Sequence, residues 1–196
     1  MKLNSIKIWL KQRLLFLLGL ALLLVLLQLI NSLTAGGLLY FGLVPRSIHG
    51  LIGIFCAPFI HGSWGHLFSN LPPLLIMSGL LLYQSIKQFI YASLFIIIMG
   101  GLLVWLFGSS AIHIGASGWI FGLWALLLTQ GVLRRNKTDI IIAVIVLIYF
   151  GGMASGLLPG QQYISTSSHL SGAIAGVLYG WILRKKAIGR KNTNAA

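Results

Sequence analysis

Residues 89–108 read FIYASLFIIIMGGLLVWLFG, a stretch without a single charged side chain. An α-helix rises about 1.5 Å per residue, so roughly 20 apolar residues cross the roughly 30 Å hydrocarbon core of a bilayer. Comparable runs recur along the 196-residue chain, in which 58% of the residues are hydrophobic and only 8% are charged. Soluble domains carry about 25% charged residues. The composition therefore predicts an all-α integral membrane protein.

Apolar length predicts six membrane-spanning helices. The second is the most polar of them and contains Pro72 and Pro73. We expect the six helices to form one membrane domain over residues 1–186, and the basic and polar residues 187–196 to form a disordered tail. The predicted spans are roughly 12–32, 66–84, 89–108, 117–133, 138–157 and 168–184.

The basic residues predict how the helices are oriented. With six spans, nearly all of them fall on one side of the membrane, and Arg46 alone falls on the other. Because lysine and arginine are enriched in cytoplasmic loops, both termini are predicted to be cytoplasmic. The net charge of +13 is then explained by membrane orientation, and no nucleic-acid partner is expected. We expect a multi-pass protein of a prokaryotic plasma membrane.

The predicted first outer connection, residues 33–65, is long and apolar. Such a segment is typical of a short amphipathic or re-entrant piece lying in the membrane interface. The chain has one cysteine, Cys56, and one acidic residue, Asp139. Carboxylate-pair catalysis and the binding of Mg²⁺ or Ca²⁺ therefore have almost no groups to use, and we predict no metal site.

Polar groups inside a membrane span are costly and usually face the interior of a helix bundle, and four of those in the predicted spans share one depth. They are His66, Asn70, Ser117 and His169. The second, fourth and sixth helices all run from the outer to the inner face in the predicted topology. Each of the four residues lies near the start of its helix, so all are predicted at similar depth in the outer third of the membrane.

The fourth and sixth helices carry small residues that favour close packing. Gly172, Gly176 and Gly180 follow His169 on one helical stripe, and Gly118 follows Ser117. If these helices touch, the imidazole reaches the hydroxyl, which is the minimum for an activated nucleophile. Since no acid is available to orient the ring, the site would be a dyad.

His66 and Asn70 are four residues apart and share one helical face. With the Ser117 N–H they could donate to the oxyanion that develops during acyl transfer. Simpler readings stay open at this point: Ser117 as a helix N-cap, and His66 and Asn70 as hydrogen-bonding groups between helices.

Three motifs in this order resemble those of the rhomboid intramembrane serine proteases. They are His61-x4-His66-x3-Asn70, Gly115-x-Ser117-Gly118 and His169-x2-Gly172-x3-Gly176. The resemblance implies cleavage of transmembrane protein substrates near the outer face of the bilayer, without a cofactor. Ser117 would be the nucleophile and His169 the general base, with His66, Asn70 and the Ser117 N–H as oxyanion hole and His61 as a structural residue.

The chain departs from the family pattern at three places. Phe121 stands where many relatives have a tyrosine stacked on the catalytic histidine, and Ser168 stands where a smaller residue is usual. The first outer connection lacks the Trp-Arg pair of many relatives. None of these changes removes a reacting group. His113 and His49 are predicted to be structural or incidental.

Three other functions compete with proteolysis. One is a non-catalytic rhomboid-like protein that binds transmembrane helices, which would be marked by loss of the serine or histidine. Another is a small transporter, although the polar cluster lies off the midplane and no paired broken helices are evident. The third is a scaffold with buried polar contacts, which gives no reason for serine and histidine to converge.

Overall fold

The computed structural model describes residues 3–158 and 165–193, with side chains up to Arg184. All its regular elements in these ranges are helical. The seven α-helices, in chain order, are α1 (Leu3–Leu33), α2 (Gly53–Cys56), α3 (Trp64–Gln84), α4 (Ile86–Phe107), α5 (Ser117–Arg134), α6 (Lys137–Phe150) and α7 (Thr166–Thr193). Short 3-10 turns cover Gly37–Phe41, His49–Leu51, Ala57–Phe59 and Gly151–Leu157.

Each of the six predicted spans corresponds to an observed helix. α1 begins at Leu3, well before the predicted start near residue 12, because the helix continues past its apolar part through Lys11 and Lys7. The fifth predicted span is α6 followed by the 3-10 turn at Gly151–Leu157. α7 continues to Thr193, where the sequence predicted a disordered tail from residue 187, and residues 194–196 lie outside the described part.

Four helical segments are long and apolar enough to cross a membrane: Leu3–Leu33, Trp64–Gln84, Ile86–Phe107 and Lys137–Leu157. α5 and α7 do not reach the same hydropathy. Trp119 to Leu127 of α5 are all buried by the rest of the protein, so this helix needs no lipid-compatible surface there. Polar and small residues are accepted in helices of this kind because their neighbours are other helices.

Polar capping residues define the helix starts. The side chains of Ser63, Ser85 and Asn136 accept hydrogen bonds from the backbone N–H groups of His66, Gln88 and Asp139. Ser85 also ends α3, so a single residue separates α3 from α4. Serine and asparagine are favoured at this position because the first N–H groups of a helix lack partners within the helix.

The first connection, residues 34–63, folds into short helical pieces packed on α4. A Cβ at Gly53 would come within 2.3 Å of the Leu43 backbone, so the connection closes tightly on itself. Arg46 donates to the carbonyls of Leu106 and Gly108 at the end of α4, and the Trp105 indole donates to Ser47 O. These bonds fix the connection to the end of α4 that adjoins the start of α5.

The single acidic residue lies at the opposite end of α5 from Ser117. Asp139 is 3% exposed, and its carboxylate accepts hydrogen bonds from Gln84, Asn136 and Arg134. This network links α3, α5 and α6. A buried carboxylate stays tolerable when its oxygens are fully paired, so Asp139 serves to join three helices.

Candidate active site

Ser117 is the first residue of α5 and follows a turn that only glycine accommodates well. Gly115 has a φ of +102°, which residues with side chains rarely adopt. A Cβ at this position would also come within 2.6 Å of His66 Nε2. The turn is held from the other side by a bond from Gly115 N–H to Ala57 O, 2.9 Å. The backbone before Ser117 is thus fixed between the first connection and α3.

His169 lies in the first turn of α7, and two contacts orient its ring. Its Nδ1 is 2.9 Å from the carbonyl oxygen of Gly156, and the ring stacks on Phe121 with centroids 4.1 Å apart and planes inclined by 14°. Because a carbonyl only accepts hydrogen bonds, Nδ1 carries the hydrogen in this contact. In the neutral ring Nε2 is then unprotonated and able to act as a base.

α5 and α7 touch through their backbones, as the small-residue stripe predicted. A Cβ at Gly172 would come within 1.9 Å of Gly118 O, and one at Gly176 within 2.0 Å of Gly122 O. No side chain larger than hydrogen fits at either position without moving a helix. The fourth and sixth predicted helices are therefore in contact, which brings the starts of these two helices together.

The four polar residues identified from the sequence all line one cavity of about 470 Å³. Among the described residues, no hydrogen bond joins Ser117 to His169. Catalytic hydrogen bonds often form only when substrate is bound, so this separation is compatible with a reacting pair. The cavity is lined by His66, Ser69, Asn70, Ile112, His113, Ile114, Ser117, Ser165 and His169.

His66 and Asn70 lie on one face of α3, as predicted from their spacing. The Asn70 amide nitrogen donates to His66 O at 2.8 Å and is 3.4 Å from Ser69 Oγ. One of its two hydrogens satisfies the strong contact, which leaves the other with only a weak partner. Both side chains border the cavity, so each can present a donor to a molecule bound there.

His61 lies directly before α3 and is almost fully buried. Its carbonyl accepts from Asn31 of α1 at 3.0 Å, and its Nε2 faces the backbone N–H of Ala116 at 3.4 Å. Burial, and then the neighbouring His66, lower the pKa of His61 to about 4, so the ring is neutral near pH 7. The neutral ring can accept from Ala116 N–H, which places His61 as a support for the turn before Ser117.

The arrangement contains little that suits a metal ion. Within residues 3–158 and 165–193, no group of three or more histidine, cysteine or acidic side chains is close enough to hold one. The His61 and His66 rings approach each other, with centroids 5.0 Å apart, but one of their four ring nitrogens already faces Ala116 N–H.

Two features of the site were not predicted from the sequence. The first is the Gly156 carbonyl, which orients His169 but, as a backbone group, carries no signature in the sequence. The second is His113, which is 4% exposed and hydrogen bonds to Ser165 and Ser109. Two sequence signals pointed to the contact between His113 and Ser165. One is a histidine four residues before Ser117, and the other is the group of serines before His169.

Comparison with known proteins places these residues inside a recognised domain. The family model described as Rhomboid domain matches residues 49–186. An uncharacterized protein of Mycobacterium tuberculosis is 39% identical over 185 residues, covering 88% of this chain and 77% of the relative. Another from Mycobacterium leprae is 36% identical over 170 residues, covering 82% and 67%. Rhomboid-like protein 11, chloroplastic, of Arabidopsis thaliana is 33% identical over 143 residues, covering 66% and 51%.

Proposed function

Because the chain belongs to the rhomboid family, we propose that it is an intramembrane serine endopeptidase with a Ser117–His169 dyad. Its substrates would be membrane proteins, cleaved in or near a transmembrane segment. The observation that carries this proposal is that Ser117 and an oriented His169 open onto the same cavity. The reaction needs no cofactor.

The first step is attack on the scissile carbonyl. Ser117 Oγ forms a bond to the carbonyl carbon while its proton passes to Nε2 of His169. The Nδ1 contact with Gly156 supports this role, because it leaves Nε2 of the neutral ring as the basic nitrogen. Stacking on Phe121 restricts rotation of the ring. A carbonyl oxygen here takes the orienting place that an aspartate holds in a triad.

The negative oxygen formed by this attack needs hydrogen-bond donors. The backbone N–H of Ser117 has no partner within α5, because the first N–H groups of a helix have none, and the positive end of the helix dipole lies there. His66 and Asn70 face the same cavity from α3. We assign these three groups as the oxyanion hole, which would act on charge that develops only in the transition state.

Collapse of the tetrahedral intermediate completes the cycle. The C–N bond breaks, His169 Nε2 gives its proton to the leaving amine, and an acyl ester remains on Ser117. A water molecule then attacks the ester, losing its proton to Nε2, and the return of that proton to Ser117 Oγ releases the carboxylic acid product. Each proton taken up by His169 is returned, so no other titrating group is required.

We further propose that α5 and α7 cross the membrane together with the four apolar segments, giving six spans and two cytoplasmic termini. The proposal is supported by Arg134 and Lys137, which lie at the end of α5 opposite Ser117, because basic residues are enriched in cytoplasmic loops. The site would then open to the outer face of the membrane, with the first connection lying in the outer interface. Bacterial relatives are consistent with a plasma membrane.

Cleavage of a single-span substrate in liposomes tests the function. Ser117→Ala and His169→Ala should each reduce cleavage to background while the purified variants keep the wild-type melting temperature. The alternative, a non-catalytic protein that binds transmembrane helices, predicts the same substrate capture by all three proteins and no cleavage by any. Cleavage that persists in either folded variant would rule out the dyad.

A further inference from the structure

His113 is the point at which three parts of the chain meet. Its backbone N–H and carbonyl pair with Leu43 of the first connection, at 2.8 and 3.0 Å. Its ring Nε2 lies 2.9 Å from Ser109 O within the α4–α5 connection, and its Nδ1 lies 2.6 Å from Ser165 Oγ. All four polar groups of this buried residue are therefore engaged, each with a different atom.

Ser165 directly precedes α7 and caps its first turn. Its carbonyl accepts from His169 N–H at 3.1 Å, and its hydroxyl oxygen accepts from Ser168 N–H at 3.2 Å, which is the geometry of a helix N-cap. The hydroxyl of Ser168 lies 2.8 Å from the same oxygen. His113 thus binds the capping hydroxyl of the helix that carries His169, one turn before that residue.

The direction of these hydrogen bonds follows from their partners. Ser109 O can only accept, so His113 Nε2 carries the hydrogen. Burial lowers the pKa of His113, and in the neutral ring Nδ1 is then an acceptor for the Ser165 hydroxyl hydrogen. The Ser165 hydroxyl is the nearer donor to Nδ1, at 2.6 Å, and the Ser168 hydroxyl lies 3.4 Å from the same nitrogen, so both serines at the start of α7 contact the His113 ring.

His113 and Ser168 are also close to Ser117, the proposed nucleophile, along the chain or through its neighbour Gly118. His113 stands four residues before Ser117 in the short connection between α4 and α5. On the α7 side, the carbonyl oxygen of Ser168 packs against Gly118, the residue after Ser117. A Cβ at Gly118 would lie 3.0 Å from this oxygen. The His113–Ser165 bond therefore joins the backbone leading to Ser117 with the first turn of the helix carrying His169.

We propose that His113 is a positioning residue, which sets the separation of Ser117 and His169 by holding the Ser165 cap of α7 against the α4–α5 connection. This inference rests on the proposed function. The residue borders the cavity, but both of its ring nitrogens are already bonded to other groups. Loss of the bond should let the start of α7 move relative to α5, while the glycine contacts farther along keep the helices together.

The test separates positioning from general stability. His113→Leu and Ser165→Ala should lower kcat by about 10- to 100-fold, as expected for a displacement of reacting groups by around 1 Å. Ser165→Thr, which keeps the capping hydroxyl, should restore most of kcat. The double variant should lose no more than the worse single variant, because both remove the same bond.

His49→Leu is the matched control. His49 also lies at this end of the molecule and bonds through Nε2 to a backbone carbonyl, that of Tyr40 at 2.8 Å, but it does not line the cavity. Its loss should leave kcat at the wild-type value, whatever it does to the melting temperature.

Three results would overturn the inference. If His113→Leu lowers the melting temperature but not kcat, the residue is only structural. If the losses of the two single variants multiply, His113 does not act through Ser165. If the folded wild-type protein neither cleaves substrate nor reacts with a fluorophosphonate at Ser117, the proposed function fails and the inference falls with it, a result distinct from the other two.

Discussion

At the scale of single residues, the site depends on how a histidine is oriented without an acid. The one carboxylate of the chain, Asp139, is buried in a network at the far end of α5. His169 instead uses the Gly156 carbonyl, which fixes the tautomer as well as the direction of the ring. A carbonyl supplies no full negative charge, so the imidazolium formed during attack gains less stabilisation than it would beside an aspartate. Stacking on Phe121 becomes correspondingly more important for holding the ring.

Phe121→Leu should therefore lower kcat for substrate cleavage by up to about tenfold, since a stacked aromatic pair contributes about 0.5–1.5 kcal/mol beyond burial. KM should not change, because Phe121 does not line the cavity. Phe121→Tyr keeps the aromatic face and serves as the control. Steady-state kinetics in mixed micelles measure both constants, and a Leu variant with wild-type kcat would show that the stack has no role in catalysis.

At the scale of helices, the decisive contact is that of α5 with α7. Membrane helices gain little from the hydrophobic effect when they associate, so close backbone approach through small residues is what holds them together. Gly118 and Gly122 of α5 meet Gly172 and Gly176 of α7 with no room for a Cβ at the α7 positions. The spacing of these glycines in the sequence predicted a face suited to close packing, because a three- or four-residue interval keeps them on one face, but it left the partner helix open.

Gly176→Ala tests this contact away from the reacting groups. Its Cβ would lie 2.0 Å from Gly122 O, so the helices must separate, and overpacking of this kind costs about 1–3 kcal/mol. We expect a lower melting temperature and reduced cleavage. Gly19→Ala, with nothing within 4 Å of the added carbon, should leave both unchanged. Equal melting temperatures for the two variants would contradict the close helix contact.

At the scale of the whole molecule, the two less apolar helices, α5 and α7, pack on each other, and both also contact α4. The segments that meet a simple hydropathy requirement include α1, α3 and α4, whereas α5 and α7 hold the glycines, the serine and the histidine of the site. α5 can carry such residues because Trp119 to Leu127 are buried by protein. α7 packs its glycines against α5 and exposes apolar side chains, among them Leu170 and Val177, on another face. The motif spacing and the balance of basic residues are what support six spans.

The sequence predicted the helices and a common depth for His66, Asn70, Ser117 and His169, and its resemblance to the rhomboid motifs predicted that they form one site. Length, glycine spacing and polar residues within apolar runs are local signals, and each has a direct physical meaning. The sequence could not predict the hydrogen bond between His113 and Ser165, because these residues are 52 positions apart and their side chains are common in loops. Nor could it predict the Gly156 contact, because the group involved is a backbone carbonyl shared by every residue type.

The central claim is that His169 activates Ser117, and covalent labelling measures this most directly. A membrane-impermeant fluorophosphonate is applied to intact cells and to the detergent-solubilised protein, and the modified residue is identified by mass spectrometry. We predict labelling at Ser117 in both preparations, with none in Ser117→Ala and at least a 100-fold slower rate, as an order-of-magnitude estimate, in His169→Ala. A folded wild-type protein that stays unlabelled in detergent, or a His169→Ala variant labelled as fast as wild type, would contradict the account.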